Sequence, residues 1–134
     1  MAQAKVRHLM YLEPNEIEKN NISSRLRTQG FAVETPTGGF HALHLFEKDH
    51  FHAVIVSGHM PDMSDMEIIT LFRNAKHRDI LPIIFVAQSE DEKEVTEAIE
   101  AGASVCIKKN DNFNVLVKSL KKYIDLSEKA AAED

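Results

Sequence analysis

A single cysteine, Cys106, is all the chain offers for disulfide chemistry, so no internal bridge can form and a reducing compartment is the natural setting. Long apolar runs are equally scarce. No stretch reaches the roughly 18 residues that a membrane-spanning helix needs, and Met1-Ala2-Gln3-Ala4-Lys5 lacks the basic and apolar segments of a secretion signal. A cytoplasmic location is the expectation. Basic residues are outnumbered, 16 lysines and arginines against 21 aspartates and glutamates, and the net charge of −5 removes the basic face that nucleic-acid phosphates require. Gly38-Gly39 is followed by no G-x-G-x-x-G or Walker pattern, so it reads as a helix start and not as a phosphate cradle. Internal repeats and low-complexity segments are missing too.

What remains is ordinary for a globular domain. The 134 residues are 43% hydrophobic and 28% charged, and a chain of this length buries roughly two thirds of its unfolded surface, enough for one core. Apolar runs and helical stretches alternate along it. Strands are expected at Val6 to Leu12, Phe31 to Thr35, His52 to Val56, Pro82 to Ala87 and Ser104 to Lys108. The fourth is a continuous apolar run, as parallel strands covered on both faces are.

Helices fill the gaps. The first starts near Asn15, carries Ile17, Ile22 and Leu26 on one side, and stops at Gly30. The second follows Gly38-Gly39 with Phe40, Leu43, Leu45 and Phe46. The third runs from about Ser64 to Ala75, with Met66, Ile68, Ile69, Leu71 and Phe72 as its apolar set. The fourth opens on Ser89-Glu90-Asp91-Glu92, which reads as a capping box between Ser89 and Glu92, and closes at Ala101-Gly102. The fifth carries Phe113, Leu116, Val117, Leu120 and Ile124 at spacings of three and four, a single core-facing stripe. Strict β–α alternation gives an α/β fold, a doubly wound parallel sheet with right-handed crossovers and helices on both faces. Residues 1–126 read as one domain, and the polar, Ala-rich residues 127–134 as a helical extension or linker.

Several short patterns, taken in order, resemble the response-regulator receiver domain, the CheY-like fold of two-component signalling. Gly30-Phe31-Ala32-Val33 leads into the second strand, and Gly39-x-x-Ala42-Leu43 lies in the second helix. Met60-Pro61-x-Met63 follows the third strand, Pro82-Ile83-Ile84 begins the fourth, and Ala101-Gly102-Ala103 precedes the fifth, with Lys109 just beyond it. The resemblance covers roughly residues 5 to 125. It implies a flavodoxin-like sheet of five strands in the order 2-1-3-4-5 with five helices.

The resemblance also implies a pocket at the strand ends, and there the chain departs from the family. Two acidic residues that help hold Mg²⁺ fall on Leu12 and Glu13. The aspartate that accepts phosphate from a histidine kinase falls on Ser57. A Thr or Ser falls on Ala87 and a switch aromatic on Cys106, while the lysine is kept as Lys109. Acyl phosphate formation needs a carboxylate nucleophile and a cation to neutralise the phosphoryl oxygens. Mg²⁺ takes one or two carboxylates besides water, and this set offers Glu13 alone. A serine hydroxyl cannot attack unaided, and the sequence supplies no His–Asp pair for Ser57, although His59 is two residues away. The expectation is a degenerate pocket with no catalytic residue, no metal and no cofactor, in which Lys109 pairs with Glu13 and takes the Ser57 hydroxyl as a second acceptor.

Seven histidines raise the question of zinc. His41 and His44 share a helix and His50 and His52 flank a strand, but neither pair has a third ligand nearby, so solvated surface histidines are expected. Met60, Met63 and Met66 read as loop and core filler. One surface pattern stands out. Helix four is acidic (Glu90, Asp91, Glu92, Glu94, Glu97, Glu100 against Lys93), and helix five is basic (Lys118, Lys121, Lys122), with Lys108 and Lys109 before it. In receivers these helices form the surface for dimers and targets. Acidic beside basic is self-complementary about a two-fold axis, and Val115, Tyr123 and Leu126 supply apolar anchors. The functional expectation is therefore a pseudo-receiver in bacterial signal transduction. It would dock a protein partner, or a second copy, through Glu94, Glu97, Lys118, Lys122 and Tyr123. The alternative is an atypical receiver switched by a ligand or anion near Lys109.

Overall fold

Burial on both faces is what turns the short apolar runs into the strands of one sheet. The computed structural model describes residues 5–76 and 80–132. In chain order the elements are β1 (His8–Leu12), α1 (Glu16–Thr28), β2 (Ala32–Glu34), α2 (Gly39–Lys48), β3 (Ala53–Ser57), α3 (Asp65–Ala75), β4 (Ile83–Ala87), α4 (Glu92–Ala101), β5 (Val105–Lys108) and α5 (Phe113–Ala132). Every residue of β3 and β4 is buried. All neighbouring strands pair in parallel, in the order β2-β1-β3-β4-β5, as the alternation and the resemblance imply.

Strand alternation divides the core into two layers. Met10, Leu12, Val54, Val56 and Phe85 pack with Ala42 of α2, Ile68 and Phe72 of α3 and Ala98 of α4. On the other face Leu9, Tyr11, Ile55, Val86 and Ile107 pack with Leu26 of α1 and with Leu116, Leu120 and Ile124 of α5. The strand ends therefore present different side chains to the two layers, and this parity decides what reaches the pocket.

Several helix readings need correction. Ile17 is 83% exposed. It lies five residues before Ile22, about 140° around a helix of 3.6 residues per turn, so it cannot share that stripe. Instead α1 buries Ser23, whose hydroxyl donates to the Asn20 carbonyl at 3.3 Å. Phe40 is 67% exposed, because α2 turns its small residues Gly39 and Ala42 inward. A Cβ on Gly39 would lie 2.9 Å from the Met63 sulfur, so a larger residue there would push the Met63 side chain aside. In α3, Leu71 points outward while Ile68, Ile69 and Phe72 are buried. The capping box belongs to α3, between Ser64 and Glu67. Helix α4 starts two residues later than Ser89–Glu92 pairing would require: Asp91 is its N-cap, accepting from the Lys93 amide at 3.0 Å.

Helix α5 continues past Leu126. The Ser127 hydroxyl donates to the Ile80 carbonyl at 2.7 Å, and Glu128 meets Arg7 at 2.8 Å. Residues 1–4, on which the secretion-signal expectation falls, and 133–134 of the tail lie outside the described residues. Among the described residues no helix is long and apolar enough to cross a membrane.

Candidate functional site

Where β1 ends, Glu13 and Pro14 turn the chain into α1, and Asn15 caps that helix by accepting from the Glu18 amide at 2.9 Å. The turn folds the Glu13 side chain inward, leaving it 3% exposed. There Oε1 accepts from the Ser57 hydroxyl at 2.9 Å and Oε2 accepts from the Asn15 amide at 3.0 Å. Gly58 makes the inward fold possible. Its φ of +78° lies in the left-handed region, and a Cβ there would sit 2.8 Å from both Glu13 Oε2 and Pro14 Cδ. Ser57 is itself 4% exposed. The result is a closed contact in which a buried carboxylate is satisfied by one hydroxyl and one amide.

The six residues expected at the pocket do not all meet. Glu13 and Ser57 do. Leu12 belongs to the opposite core layer, facing α2 to α4, and Ala87 lies in the same layer. Cys106 packs against that layer too, with Sγ 3.9 Å from the Val95 carbonyl, and burial, reinforced by Glu94, pushes its thiol up to about 11. The Lys109 amide donates to the Ala87 carbonyl at 3.0 Å, but its side chain is exposed. Its ammonium makes no ion pair among the described residues. The expected Lys109–Glu13 pair is absent because Glu13 is turned beneath the loop, its oxygens already engaged by Ser57 and Asn15.

Sequence reasoning missed three features. Tyr11 sits beside this contact, its phenol raised well above the ordinary range, chiefly by burial and then by Glu13 and Glu18. His59 and Asp65 form a pair, with Nδ1 to Oδ2 at 3.1 Å. Asp65 is 4% exposed, and its other oxygen, Oδ1, is buried without a hydrogen-bond partner. Burial raises its carboxyl to about 6, with His59 opposing and Glu94 and Glu13 adding to the rise. The Ser57 hydroxyl is committed to Glu13, so this His–Asp pair does not activate it. Lastly, Asp62 caps α2 from the β3–α3 loop, accepting from the Gly39 and Phe40 amides at 2.8 and 3.2 Å, and those bonds hold its carboxyl below the usual range. Only Asn15-x-x-Glu18 gave a local signal. The Glu13–Ser57 contact and the Asp62 cap on α2 join segments far apart in sequence, and His59–Asp65 forms across the β3–α3 loop.

Donor chemistry decides whether the divalent cation that receivers use would fit. Mg²⁺ needs near-octahedral oxygens at about 2.0–2.1 Å. The Glu13 carboxylate faces Ser57 and a backbone N–H, Leu12 offers no oxygen, and no cluster of three or more His, Cys, Asp or Glu among the described residues can hold a metal. These residues do not fit the ion. Among the histidines, His41 accepts from the Thr37 amide at 3.0 Å. His52 is not simply solvated, since Nδ1 accepts from the His8 amide at 2.9 Å and its ring lies 4.8 Å from that of His50. Met60 and Met63 are buried in the core.

On the expected interaction face, Glu94 is turned back, accepting from the Gln88 amide at 3.0 Å and the Ser89 hydroxyl at 2.8 Å. Glu97, Lys118 and Lys122 are exposed, Tyr123 is half-buried with the Lys122 ammonium 5.5 Å from its ring centre, and Lys108 bridges to Glu90 at 2.8 Å. Below Ser57, a cavity of about 180 Å³ opens between α1 and α5, with Tyr11, Ile55, Val86 and Ile107 among its lining and Lys109 at its edge.

Comparison with known proteins agrees with this architecture. The family model described as the response regulator receiver domain matches residues 12–121. The transcriptional regulatory protein CseB of Streptomyces coelicolor is 23% identical over 85% of this chain and 47% of its own length, so the chain spans about half of that relative. The two-component response regulator ORR3 of Oryza sativa subsp. indica is 21% identical over 72% of this chain and 74% of its own. A CheY-like receiver from Methanospirillum hungatei superposes with a TM-score of 0.85 at 19% identity, covering 94% of this chain and 99% of that one. The chemotaxis response regulator CheY4 of Vibrio cholerae gives 0.79 at 23% identity, over 89% and 99%. With the sheet order, the helix arrangement and a family match over most of its length, the chain belongs to the response regulator receiver domain family.

Proposed function

We propose that this chain is a pseudo-receiver, a cytoplasmic signalling module that takes up no phosphate and works by binding protein. The observation that carries the reading is the Glu13–Ser57 contact at 2.9 Å. Phosphorylation of a receiver needs a carboxylate to attack and a cation to offset the charge on the phosphoryl oxygens. Here the attacking position is a hydroxyl that donates to the Glu13 carboxylate. Adding Mg²⁺ with beryllofluoride, a phosphoryl mimic, tests this. Unchanged amide spectra and thermal unfolding are expected, whereas a beryllofluoride-dependent shift at millimolar Mg²⁺ contradicts it.

With phosphate removed from the account, the face of α4 and α5 is what remains to signal through. Glu97 on α4 and the exposed Lys118 and Lys122 on α5 give it two signs of charge, and Val115 and Leu126 are exposed apolar residues of α5. That pattern suits a second copy about a two-fold axis. Sedimentation equilibrium should show self-association that weakens with salt and in Lys118→Glu/Lys122→Glu, and recovers when that variant is mixed with Glu97→Lys. A monomer at all concentrations, unaffected by these changes, would leave the face to a different signalling partner.

A second reading is favoured by one observation, the unpaired Lys109 ammonium at the edge of the cavity below Ser57. Under it the chain is an atypical receiver switched by a ligand or anion.

A further inference from the structure

At the end of the sheet opposite Ser57, a side chain holds the entry to β1. The His8 amide donates to His52 Nδ1 at 2.9 Å, and the His52 amide donates back to the His8 carbonyl at 2.7 Å. These two bonds close the β1–β3 ladder one residue before its first partners, Leu9 and Ala53. A ring nitrogen that accepts from an amide carries no proton, so the neutral ring holds its proton on Nε2. That Nε2 is buried and has no hydrogen-bond partner.

The surroundings oppose a charge on this ring. His50 of the α2–β3 loop lies against it, with ring centres 4.8 Å apart, and Lys5 and Arg7 face it from the segment leading into β1. Among the described residues the opposing anion is Glu128 of α5. It is already engaged, with Oε1 2.8 Å from Arg7 Nη2 and Oε2 3.9 Å from the Lys5 ammonium. The His8 ring is occupied elsewhere, stacked on Phe51 with Nε2 3.8 Å from Glu34. Nor can His52 be protonated in place. A second proton would sit on Nδ1 and meet the His8 N–H, donor against donor. Turning the ring over does not help, because both nitrogens of an imidazolium are donors.

We infer that His52 is a proton-operated staple: a proton taken from solution onto Nδ1 expels the His8 amide and frees the segment that leads into β1. That segment carries Arg7 and Lys5, so its release also unties Glu128 and the last turns of α5. The staple is independent of both readings above, since it lies at the far end of the sheet from the pocket. Burial first, then His50, Lys5 and Arg7, hold the His52 ring below its ordinary value of 6.5, with Glu128 opposing. The staple is therefore intact above pH 6.5 and is lost as pH falls through the range beneath it. Asp65 acts with the opposite sign, so only a readout local to His8 isolates the staple.

NMR of the whole chain between pH 8 and pH 5 tests this, reading the His52 ring nitrogens and the exchange of the His8 amide. The Met10 amide, deeper in β1, is the internal control. The ring should titrate with a midpoint below 6.5. Protection of His8, corrected for intrinsic exchange, should fall as that midpoint is approached, by up to about tenfold per pH unit, while Met10 stays protected. His52→Asn offers an oxygen in place of Nδ1 and cannot titrate, so protection of His8 should hold across the range. Should that variant fail to fold, the wild-type ring and amide still decide the matter. A ring midpoint at or above 6.5, or His8 protection unchanged through it, overturns the staple. Equal acid loss in wild type and His52→Asn overturns His52 as its cause, and loss of Met10 protection together with His8 overturns a local release.

Discussion

Placing a carboxylate at position 57 is the perturbation that most strains the closed contact, and the outcome can be worked from its geometry. Ser57 and Glu13 are both almost fully buried, and the hydroxyl lies 2.9 Å from Oε1. Ser57→Asp removes a hydrogen bond to a charged group, worth about 1.5–3 kcal/mol, and sets a second anion about 4 Å from the first. At an effective dielectric near 20 that repulsion is about 4 kcal/mol. The pair can escape by keeping one proton, and holding a carboxyl of ordinary pKa protonated at pH 7 also costs about 4 kcal/mol. Either route takes a large share of a domain stability of about 5–15 kcal/mol. The sign of the pH dependence follows. The folded pair holds a proton that the unfolded chain releases, so stability falls as pH rises through the ordinary carboxylate range toward the raised folded value, and recovers on acidification. Urea unfolding at pH 5 and pH 7 measures this, with Ser57→Asn as the uncharged control of equal size. A Ser57→Asp variant as stable as Ser57→Asn at pH 7, or one selectively stabilised by millimolar Mg²⁺, would refute the reasoning.

Four other expectations follow from the same region. Gly58→Ala forces a side chain into the left-handed region, where the backbone cost alone is about 1–2 kcal/mol. It also drives a Cβ within 2.8 Å of Glu13 and Pro14. Chemical denaturation should therefore show one of the larger single-site losses in the chain. Asp65→Asn should flatten the pH dependence of stability. The Asp65 carboxyl is raised to about 6, so the wild type gains stability as pH falls through 6 toward the unfolded value near 4, and unfolding curves across that window should lose this gain in the variant. Glu13→Ala leaves the buried Ser57 hydroxyl without its acceptor, a loss of about 1–3 kcal/mol, and releases the Asn15 amide, which lies at an exposed residue. Exposed, unpaired Lys109→Met should stay within about 0.5 kcal/mol of wild type in the same assay.

The legible parts of the fold were those set by local pattern. Ile83 to Ala87 could be read because a run buried on both faces is apolar at every position, and the stripe through Leu116, Leu120 and Ile124 because its spacing repeats. Helix α1 was harder. With so few apolar residues, Ile17 had no repeat to fix its phase, and the helix turned Ser23 inward instead. At the start of α4 several side chains competed to cap the same amides; Glu94 took Ser89, which left the cap to Asp91. In the pocket, the residues of interest were identifiable by position, but their partners were not. Whether Glu13 meets Lys109 or Ser57 depends on how the chain turns after β1, and that turn needs a bare glycine, Gly58, from the end of β3. Asp62 capping α2 and His59 meeting Asp65 are likewise products of the folded loop.

The most direct measurement is intact-mass spectrometry of the protein after incubation with acetyl phosphate and Mg²⁺, for the wild type and for Ser57→Asp. With Ser57 committed to Glu13 and no donor set that fits Mg²⁺, the wild type should retain its unmodified mass. The variant, still lacking a second metal-binding carboxylate at Leu12 and a hydroxyl at Ala87, should do the same. A stoichiometric gain of one phosphoryl group on the wild-type chain would contradict the account.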